Sequence, residues 1–213
     1  MIVKKATNES WLGTYKFEGY RITPENSDEL RFIQSMHPTE IVQVCGVATS
    51  SKTSSKFKSM MDKAERGKLR VVYRGGGHSY NINSIGDVVV DFNHPHWKEI
   101  EYNDQTKNIL VGAGNTIEEI EHELLNNHRR LINRGNYNQQ TFIGAALQGT
   151  HGYGSDSPSL MSHIISTSTI GNAVIAARIK TAPLQKWKVR LSTSRMGSSE
   201  LTEQSIKLSL IHI

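Results

Sequence analysis

The sequence has only one cysteine, Cys45, among its 213 residues. An internal disulfide therefore cannot form, and a zinc site built on several cysteine ligands is excluded. The chain also lacks a run of about 18 apolar residues, the length that a membrane-spanning helix needs. No apolar stretch follows the lysines of its N-terminal MIVKKATNES, as it would in a secretory leader. We therefore expect a cytoplasmic protein that has no membrane partner and folds by packing alone.

The net charge of +5 suits a nucleic acid, a membrane surface or a small anionic ligand. The basic residues are concentrated in two stretches, 51–70 and 180–195. In the first stretch the lysines surround an apolar helical stripe, and in the second Trp187 is the one aromatic residue. Nucleic-acid modules combine basic residues with several aromatic side chains on one face. We therefore expect a solvated basic surface and no nucleic-acid partner.

The first half of the chain is predicted to contain an extension and one lobe. Residues 1–39 show no sustained period and contain Pro24 and Pro38, which predicts an irregular N-terminal extension. In the lobe, 40–97, alternation predicts strands over 40–47, 69–74 and 87–92. A helix lies between the first two, because apolar residues recur there at helical spacing before Gly67. This β-α-β order favours parallel strands.

The second half of the chain, 98–213, is predicted to form another lobe. NILVGAG resembles a strand, and Thr116 with Glu119 forms a capping box for a helix whose buried stripe is Ile117, Ile120, Leu124 and Leu125. The alternating runs SHIISTST, AVIAARI, KVRLST and IKLSLIHI predict an antiparallel sheet, with Gly171 and Asn172 in a hairpin turn. The predicted fold class is therefore α+β with two lobes.

Two glycine-rich segments, VVYRGGGHSYN and NQQTFIGAALQGTHGYG, stand out. Neither contains the G-x-G-x-x-G of dinucleotide-binding folds, and the chain has no P-loop motif. Successive glycines let backbone N–H groups approach an anion closely. The two segments therefore predict a clamp around one elongated anionic molecule, and the alternative is a pair of unrelated surface turns.

Two other patterns point to different chemistry. His94 and His96 lie close to Asp91 but lack a clear third ligand, so no metal site is predicted. Ser79 follows His78 directly, but adjacent residues rarely form a nucleophile–base pair and no G-x-S-x-G is present, which disfavours a hydrolase.

In order, RGGGHS, DFN, VGAGNTIEEIEHELL and NRGNYNQQTFIGAALQGTHGYG resemble the PCMH-type FAD-binding domain of the vanillyl-alcohol oxidase superfamily. The similarity covers about residues 40–180 and is strongest to the aldonolactone oxidases and alditol oxidases. It implies a two-lobed FAD-binding domain, FAD as the cofactor, and oxidation of a hydroxyl group of a sugar alcohol or an aldonolactone.

The resemblance also implies which residues hold FAD. The first loop would wrap the pyrophosphate with backbone amides, and His78 matches a histidine that is often bonded to the 8α carbon of the flavin. The second segment would lie along the flavin from the other lobe. The implied cofactor-binding residues are Arg74, Gly75, Gly76, Gly77, His78, Ser79, Gln140, Thr141, Gly144, Gly149, Thr150, His151, Gly152 and Gly154.

The sequence departs from the family pattern in three places. Ala145 replaces a glycine that would lie beside the flavin. Gly171-Asn172 replaces an Asp-Gly hairpin, and we interpret this second replacement as a structural change only. The resemblance places the substrate-binding cap domain beyond IKLSLIHI, so we expect it to be absent from these 213 residues and assign no catalytic residue. We expect a small polyhydroxylated substrate, with a cap domain or a second copy of the chain as partner. The alternative function is a flavin-binding fragment or remnant without turnover.

Overall fold

The computed structural model describes residues 1–9, 13, 16–78, 86–152 and 158–184. These residues form two β-sheets with helices packed around them. The strands are β1 (Ile2–Glu9), β2 (Lys16–Thr23), β3 (Val71–Arg74), β4 (Val88–Asp91), β5 (Ile100–Asn103), β6 (Asn108–Gly112), β7 (Arg129–Leu131), β8 (Ile164–Ile170) and β9 (Ala173–Pro183). The helices are α1 (Ser27–Ser35), α2 (Pro38–Ala48), α3 (Ser55–Glu65), α4 (Ile117–Asn126) and α5 (Phe142–Leu147).

The first sheet has the strand order β1-β2-β4-β3. β1 pairs with β2 in antiparallel orientation, whereas β4 pairs in parallel with both β2 and β3. The central strand β4 is buried along its whole length, as expected for a continuous apolar run covered on both faces. The carboxyl ends of β2, β3 and β4 therefore meet at one edge of this sheet, and the first glycine segment begins there.

Two predictions for the first 48 residues are wrong. The predicted extension, 1–39, contains β1, β2 and α1, and β2 lies directly beside β4. Residues 40–47 belong to a helix, α2, because Pro38 occupies its first turn and His37 forms a capping box with Glu40. A short apolar run fits a strand and a buried helix equally well, so alternation alone misassigned it.

The second sheet is antiparallel and has the order β5-β6-β9, with β7 and β8 also paired to β9. The capping box between Thr116 and Glu119 is confirmed at the start of α4. Leu125 was predicted to be buried with the α4 stripe, but its exposure is 45%, because the buried stripe ends at Leu124. The hairpin turn at Gly171 is confirmed by its φ of 54°. The strands predicted from KVRLST and IKLSLIHI lie outside the described residues.

Two polar contacts hold segments that border the sheets, one of them at the connection between β4 and β5. The indole Nε1 of Trp97 donates a hydrogen bond of 2.6 Å to the carbonyl of Pro24, and Gln34 on α1 donates one of 2.9 Å to the carbonyl of Ile170 in β8. Apolar residues from both sheets form a single core between these contacts. The α+β class and two-part architecture are confirmed, while the predicted domain boundaries at 39/40 and 97/98 stay predictions.

None of the helices in the described ranges is long and apolar enough to cross a lipid bilayer.

His163 is a buried histidine in the second sheet's supporting layer. It lies in a short 3-10 helix, Leu160–His163, and its exposure is 1%. Neither ring nitrogen has a hydrogen-bond partner among the residues that the structure describes. Burial, and secondarily the charge of Lys180, lowers the pKa of His163. The folded protein therefore favours the neutral imidazole.

We predict that this histidine makes folding sensitive to acid. Below about pH 6.5 the unfolded chain binds a proton that the folded chain excludes, so stability is complete above that pH and falls as the pH decreases. The loss has an upper limit of about 1.4 kcal/mol per pH unit for one group. Urea unfolding over a pH series measures it. His163→Leu should flatten the profile relative to the exposed control His122→Leu, and equal slopes for both variants would contradict the prediction.

Candidate functional site

A cavity of about 580 Å³ lies between the two sheets. The loop after β3 borders it on one side, and α5 with the β8–β9 turn borders it on the other. Its lining residues are Tyr73, Arg74, Gly75, Gly76, Gly77, His78, Phe92, Ala113, Gln140, Thr141, Ile143, Gly144, Ala145, Leu147, Gln148, Thr150, Asn172, Ala173 and Val174. Its volume falls within the range of about 300–1,000 Å³ that is usual for ligand sites.

The glycine loop presents backbone donors to this cavity. The amides of Gly75, Gly76 and Gly77 donate no hydrogen bond to any other residue within the described ranges. Gly77 has a φ of 79°, a conformation that favours glycine. Successive amides that include a left-handed residue form an anion-binding concavity. The loop can therefore receive a phosphate group.

The two glycine segments touch each other at Gly75 and Thr141. A Cβ atom on Gly75 would overlap the hydroxyl oxygen of Thr141, and one on Gly144 would lie 2.7 Å from the same atom. Thr141 precedes α5, but its side chain makes no capping hydrogen bond to that helix. The hydroxyl instead fills the space between a loop of the first sheet and a helix of the second.

His78 lies at the wall of the cavity, next to the glycine loop. Its ring packs against the ring of Tyr137 at 4.5 Å between centroids. Its Nδ1 lies 2.9 Å from the position that a Cβ of Gly76 would occupy. Burial, and secondarily the charge of Arg74, lowers the pKa of His78. A neutral imidazole near physiological pH is the form that can act as a nucleophile.

A smaller cavity of about 230 Å³ adjoins the first and shares Arg74, Gly75, Gly76, Phe92, Ala113 and Thr141 with it. Arg21, Asp91 and Lys98 supply its charges. Asp91 lies 3.4 Å from the Nε of Arg21 and accepts a hydrogen bond of 2.6 Å from Thr23, while Lys98 pairs with Glu119 at 2.8 Å. With Arg74, the lining carries three cations and one carboxylate. Its net charge is therefore positive and suits an anion.

The structure brings most of the predicted site residues together. Those that line the larger cavity are Arg74, Gly75, Gly76, Gly77, His78, Gln140, Thr141, Gly144 and Thr150. Gly149, His151 and Gly152 line neither cavity. Ser79 and Gly154 lie outside the described residues. Whether each of these residues binds a cofactor stays a prediction.

Gly152, near the end of the second segment, is closely packed against the segment after β7. A Cβ on Gly152 would lie 2.9 Å from the carbonyl oxygen of Arg134, and one on Gly135 would lie 2.6 Å from the Cγ2 of Thr150. The amides of Gly149 and Thr150 already donate to the carbonyls of Ala146 and Ala145. This loop is therefore held against the segment after β7, and these two amides are not available to an anion.

Sequence patterns missed several cavity residues. Tyr73 lies near the end of β3 and Phe92 directly follows β4, in segments for which the sequence predicts strands only, and the change at Asn172 is interpreted as structural only. Gln34 contacts two of them, because it forms a side-chain hydrogen bond with Tyr73 and its Nε2 donates one of 3.4 Å to the Oδ1 of Asn172. Burial is the main cause that raises the pKa of Tyr73. Their position at the carboxyl ends of two predicted parallel strands was the available signal for Tyr73 and Phe92.

The arrangement fits an elongated dinucleotide with an anionic centre. Two adjoining cavities share Gly75 and Gly76 of the glycine loop, whose amides donate to no other residue in the described ranges. The buried Oε1 of Gln140 has no hydrogen-bond partner in the described part of the chain, so it can accept one from a ligand. Apolar walls at Phe92, Ile143 and Ala145 can cover an aromatic ring system. These features fit a nucleotide cofactor.

Other cofactor chemistry has little support here. The described ranges contain no group of three or more histidine, cysteine, aspartate or glutamate side chains arranged to hold a metal ion. Cys45 is buried, which raises the pKa of its thiol to about 12 and keeps it protonated.

The comparisons with known proteins identify the cofactor. Residues 48–173 match the family model described as an FAD binding domain, which covers more than half of the chain. The protein therefore belongs to the FAD-binding domain family, and the prediction of FAD as its cofactor is confirmed. We found no significant match to the chain among curated protein sequences.

Solved structures confirm the PCMH-type fold. Cholesterol oxidase from B. sterolicum is similar over 85% of this chain and 38% of its own, with 13% identity and a TM-score of 0.57. Physcomitrella patens BBE-like 1 is similar over 77% of this chain and 36% of its own, with 17% identity and a TM-score of 0.51. Alkyldihydroxyacetonephosphate synthase is similar over 80% of this chain and 33% of its own, with 13% identity and a TM-score of 0.50. The chain spans about a third of the length of these proteins.

The contact between Gly75 and Thr141 generates a testable prediction. Gly75→Ala places a methyl group on the Thr141 hydroxyl, so the loop must move and we expect FAD affinity to fall by about tenfold or more, which is about 1.4 kcal/mol. Adding Thr141→Ala removes the colliding hydroxyl and methyl, so the double variant should recover most of the affinity. Titration of the apoprotein with FAD measures both. Additive losses in the double variant would show that this contact does not shape the site.

Proposed function

We propose that the protein is an FAD-dependent oxidoreductase that oxidises a hydroxyl group of a sugar alcohol or an aldonolactone. The observation that supports this most is the loop at Gly75, Gly76 and Gly77, whose amides donate to no other described residue and which lies beside His78 at the cavity wall. The bound FAD would supply the hydride chemistry, and the protein would bind and orient it.

Each part of the site has a role in this proposal. The glycine amides hold the pyrophosphate, with Arg21 and Lys98 adding positive charge in the smaller cavity. Gln140 accepts a hydrogen bond from the cofactor through its buried oxygen. Ile143, Ala145 and Phe92 cover the ring system and exclude water from it. Gly149, His151 and Gly152 line neither cavity, and their proposed role is to shape the loop that carries Thr150 to the cavity wall.

We further propose that His78 is bonded to the 8α carbon of the flavin. The bond would form with loss of a proton from the imidazole nitrogen and one from the methyl carbon, and the released electron pair would pass through the flavin to dioxygen. Burial and the neighbouring charge favour the neutral imidazole, which is the reactive form. A covalent flavin is consistent with the resemblance of the RGGGHS string to enzymes in which this histidine is often linked.

The proposed substrate class follows from the same resemblance. The strings around the two glycine segments resemble aldonolactone oxidases and alditol oxidases, whose substrates are small and polyhydroxylated. Asn172 and Gln148 provide amide groups at the cavity wall, and amides can both donate to and accept from hydroxyl groups.

A second candidate is a flavin-binding domain without turnover. It is favoured by one observation, that the chain spans only about a third of the length of the solved structures that it resembles. In this case the protein would hold FAD for a partner, or bind it without oxidising a substrate.

Either candidate is compatible with a covering partner. Leu147 lines the larger cavity and its exposure is 54%, so an apolar side chain lies open at the wall of the site. We propose that a cap domain or a second copy of the chain covers it. Sedimentation of the FAD-loaded protein distinguishes the two by mass, and Leu147→Lys should weaken association with a second copy.

Two variants distinguish the role of His78 from the role of the glycine loop. His78→Ala should keep FAD affinity within about tenfold of the wild type but lose all acid-stable flavin, whereas Gly76→Val should weaken FAD binding itself by more than that. The second effect has a steric cause, because a Cβ there would lie 2.9 Å from His78 Nδ1 and 3.0 Å from the Gln139 carbonyl. Acid precipitation followed by mass analysis of the His78 peptide measures the linkage. A colourless wild-type pellet would overturn the covalent proposal and leave FAD binding unaffected.

Turnover is tested by reduction of the bound flavin. An active enzyme should lose its yellow flavin absorbance when a sugar alcohol or an aldonolactone is added without oxygen, and regain it when air is admitted. A matched panel of the corresponding deoxy compounds serves as the control. If no member of the panel bleaches the flavin while dithionite does, the protein is the flavin-binding domain without turnover.

A further inference from the structure

The side chain of Arg74 lies against Gly77, at the far end of the glycine loop. Arg74 is the last residue of β3 and pairs in register with Asp91 of β4. Its side chain turns back under the loop, where the Cζ and Nε atoms lie 2.7 Å from the place that a Cβ of Gly77 would take. A Cβ at Gly77 would overlap the guanidinium in this position, and the left-handed φ of 79° also favours glycine there.

The guanidinium also contacts a distant strand. Its Nη2 donates a hydrogen bond of 2.7 Å to the carbonyl oxygen of Glu9, the last residue of β1. β1 and β3 are not neighbours in the sheet, because β2 and β4 lie between them. Arg74 therefore ties the turn at Gly77 to the opposite edge of the first sheet.

His78 follows this turn directly. The Nδ1 of His78 lies against Gly76, and the guanidinium of Arg74 lies against Gly77, the next residue. The two side chains therefore contact neighbouring residues of the same loop. On its other side the imidazole meets the ring of Tyr137, and the Gln139 carbonyl also faces Gly76. The other charged groups nearby are Arg21, Asp91 and Lys98 in the smaller cavity and Glu118, which binds Gln139. Arg74 is the one whose charge acts on the imidazole directly.

We propose that Arg74 is a positioning residue for His78, because its guanidinium anchors the Gly77 turn to the Glu9 carbonyl and holds a fixed positive charge beside the imidazole. The proposal rests on the proposed function, in which the neutral imidazole bonds to the flavin. It differs from a direct contact between Arg74 and the FAD phosphates. Such a contact would affect affinity, whereas positioning affects the titration and the reactivity of His78.

The experiment compares two variants of Arg74. Arg74→Met removes the charge and keeps an extended side chain, so the titration midpoint of His78 in the apoprotein should move to higher pH. Arg74→Lys keeps a charge but lacks the planar fork, so the midpoint should stay close to that of the wild type while the rate of acid-stable flavin formation falls. Arg66→Met, which removes an exposed arginine on the first lobe, is the control and should change neither quantity.

NMR titration of labelled histidine measures the midpoint, and comparison with His78→Asn assigns the His78 signal among the nine histidines. The pH profile of acid-stable flavin formation is the second readout. In Arg74→Met its acidic limb should move to higher pH together with the midpoint. An unchanged midpoint in Arg74→Met, or an equal shift in Arg74→Lys, would overturn the role of the charge. A large loss of FAD affinity with an unchanged midpoint would show that Arg74 contacts the cofactor instead.

These readouts separate this inference from the proposed function. If the wild type forms no acid-stable flavin but Arg74→Met shifts the His78 midpoint, the covalent linkage is wrong and the action of Arg74 on His78 stands. If acid-stable flavin forms equally fast in all three proteins and no midpoint moves, the linkage stands and the role of Arg74 is wrong.

Discussion

The close approach of Gly75 to Thr141 is the contact on which the site depends. Gly75 begins the loop that follows β3 of the first sheet, and Thr141 directly precedes α5 beside the second sheet. Protein interiors are close-packed, so two segments can meet at this distance only where one of them has no side chain. Because both cavities border this contact, any shift in it changes their shapes together.

Polar contacts keep the two sheets in one relative position. Trp97 satisfies the Pro24 carbonyl, and Gln34 satisfies the Ile170 carbonyl while it also meets Tyr73 and Asn172 at the cavity wall. A buried carbonyl without a hydrogen-bond partner destabilises the fold. Moving one sheet relative to the other would therefore break these hydrogen bonds and raise the free energy. Packing alone permits many arrangements, whereas these directional contacts select one.

The site divides its chemical tasks between backbone and side chains. The amides of Gly75, Gly76 and Gly77 offer hydrogen bonds to an anion without the entropy cost of ordering long side chains. The charged side chains are largely engaged with one another or with the backbone, as in the pairs of Asp91 with Arg21 and of Lys98 with Glu119. The family match identifies FAD as the cofactor of the protein.

The sequence by itself determined the elements that depend on residues within a few positions of one another. The helices α3 and α4 follow from apolar spacing and from caps within one turn, and the glycine loop follows from residues that only a close backbone approach requires. The strands β1 and β2 were missed because β2 acquires its inner partner β4 about seventy residues later. Arg21, Asp91 and Asn172 escaped assignment to the site for the same reason. Contacts between distant segments depend on sheet register and on the packing of one sheet against the other, so only the tertiary structure decided which side chains surround the cofactor site.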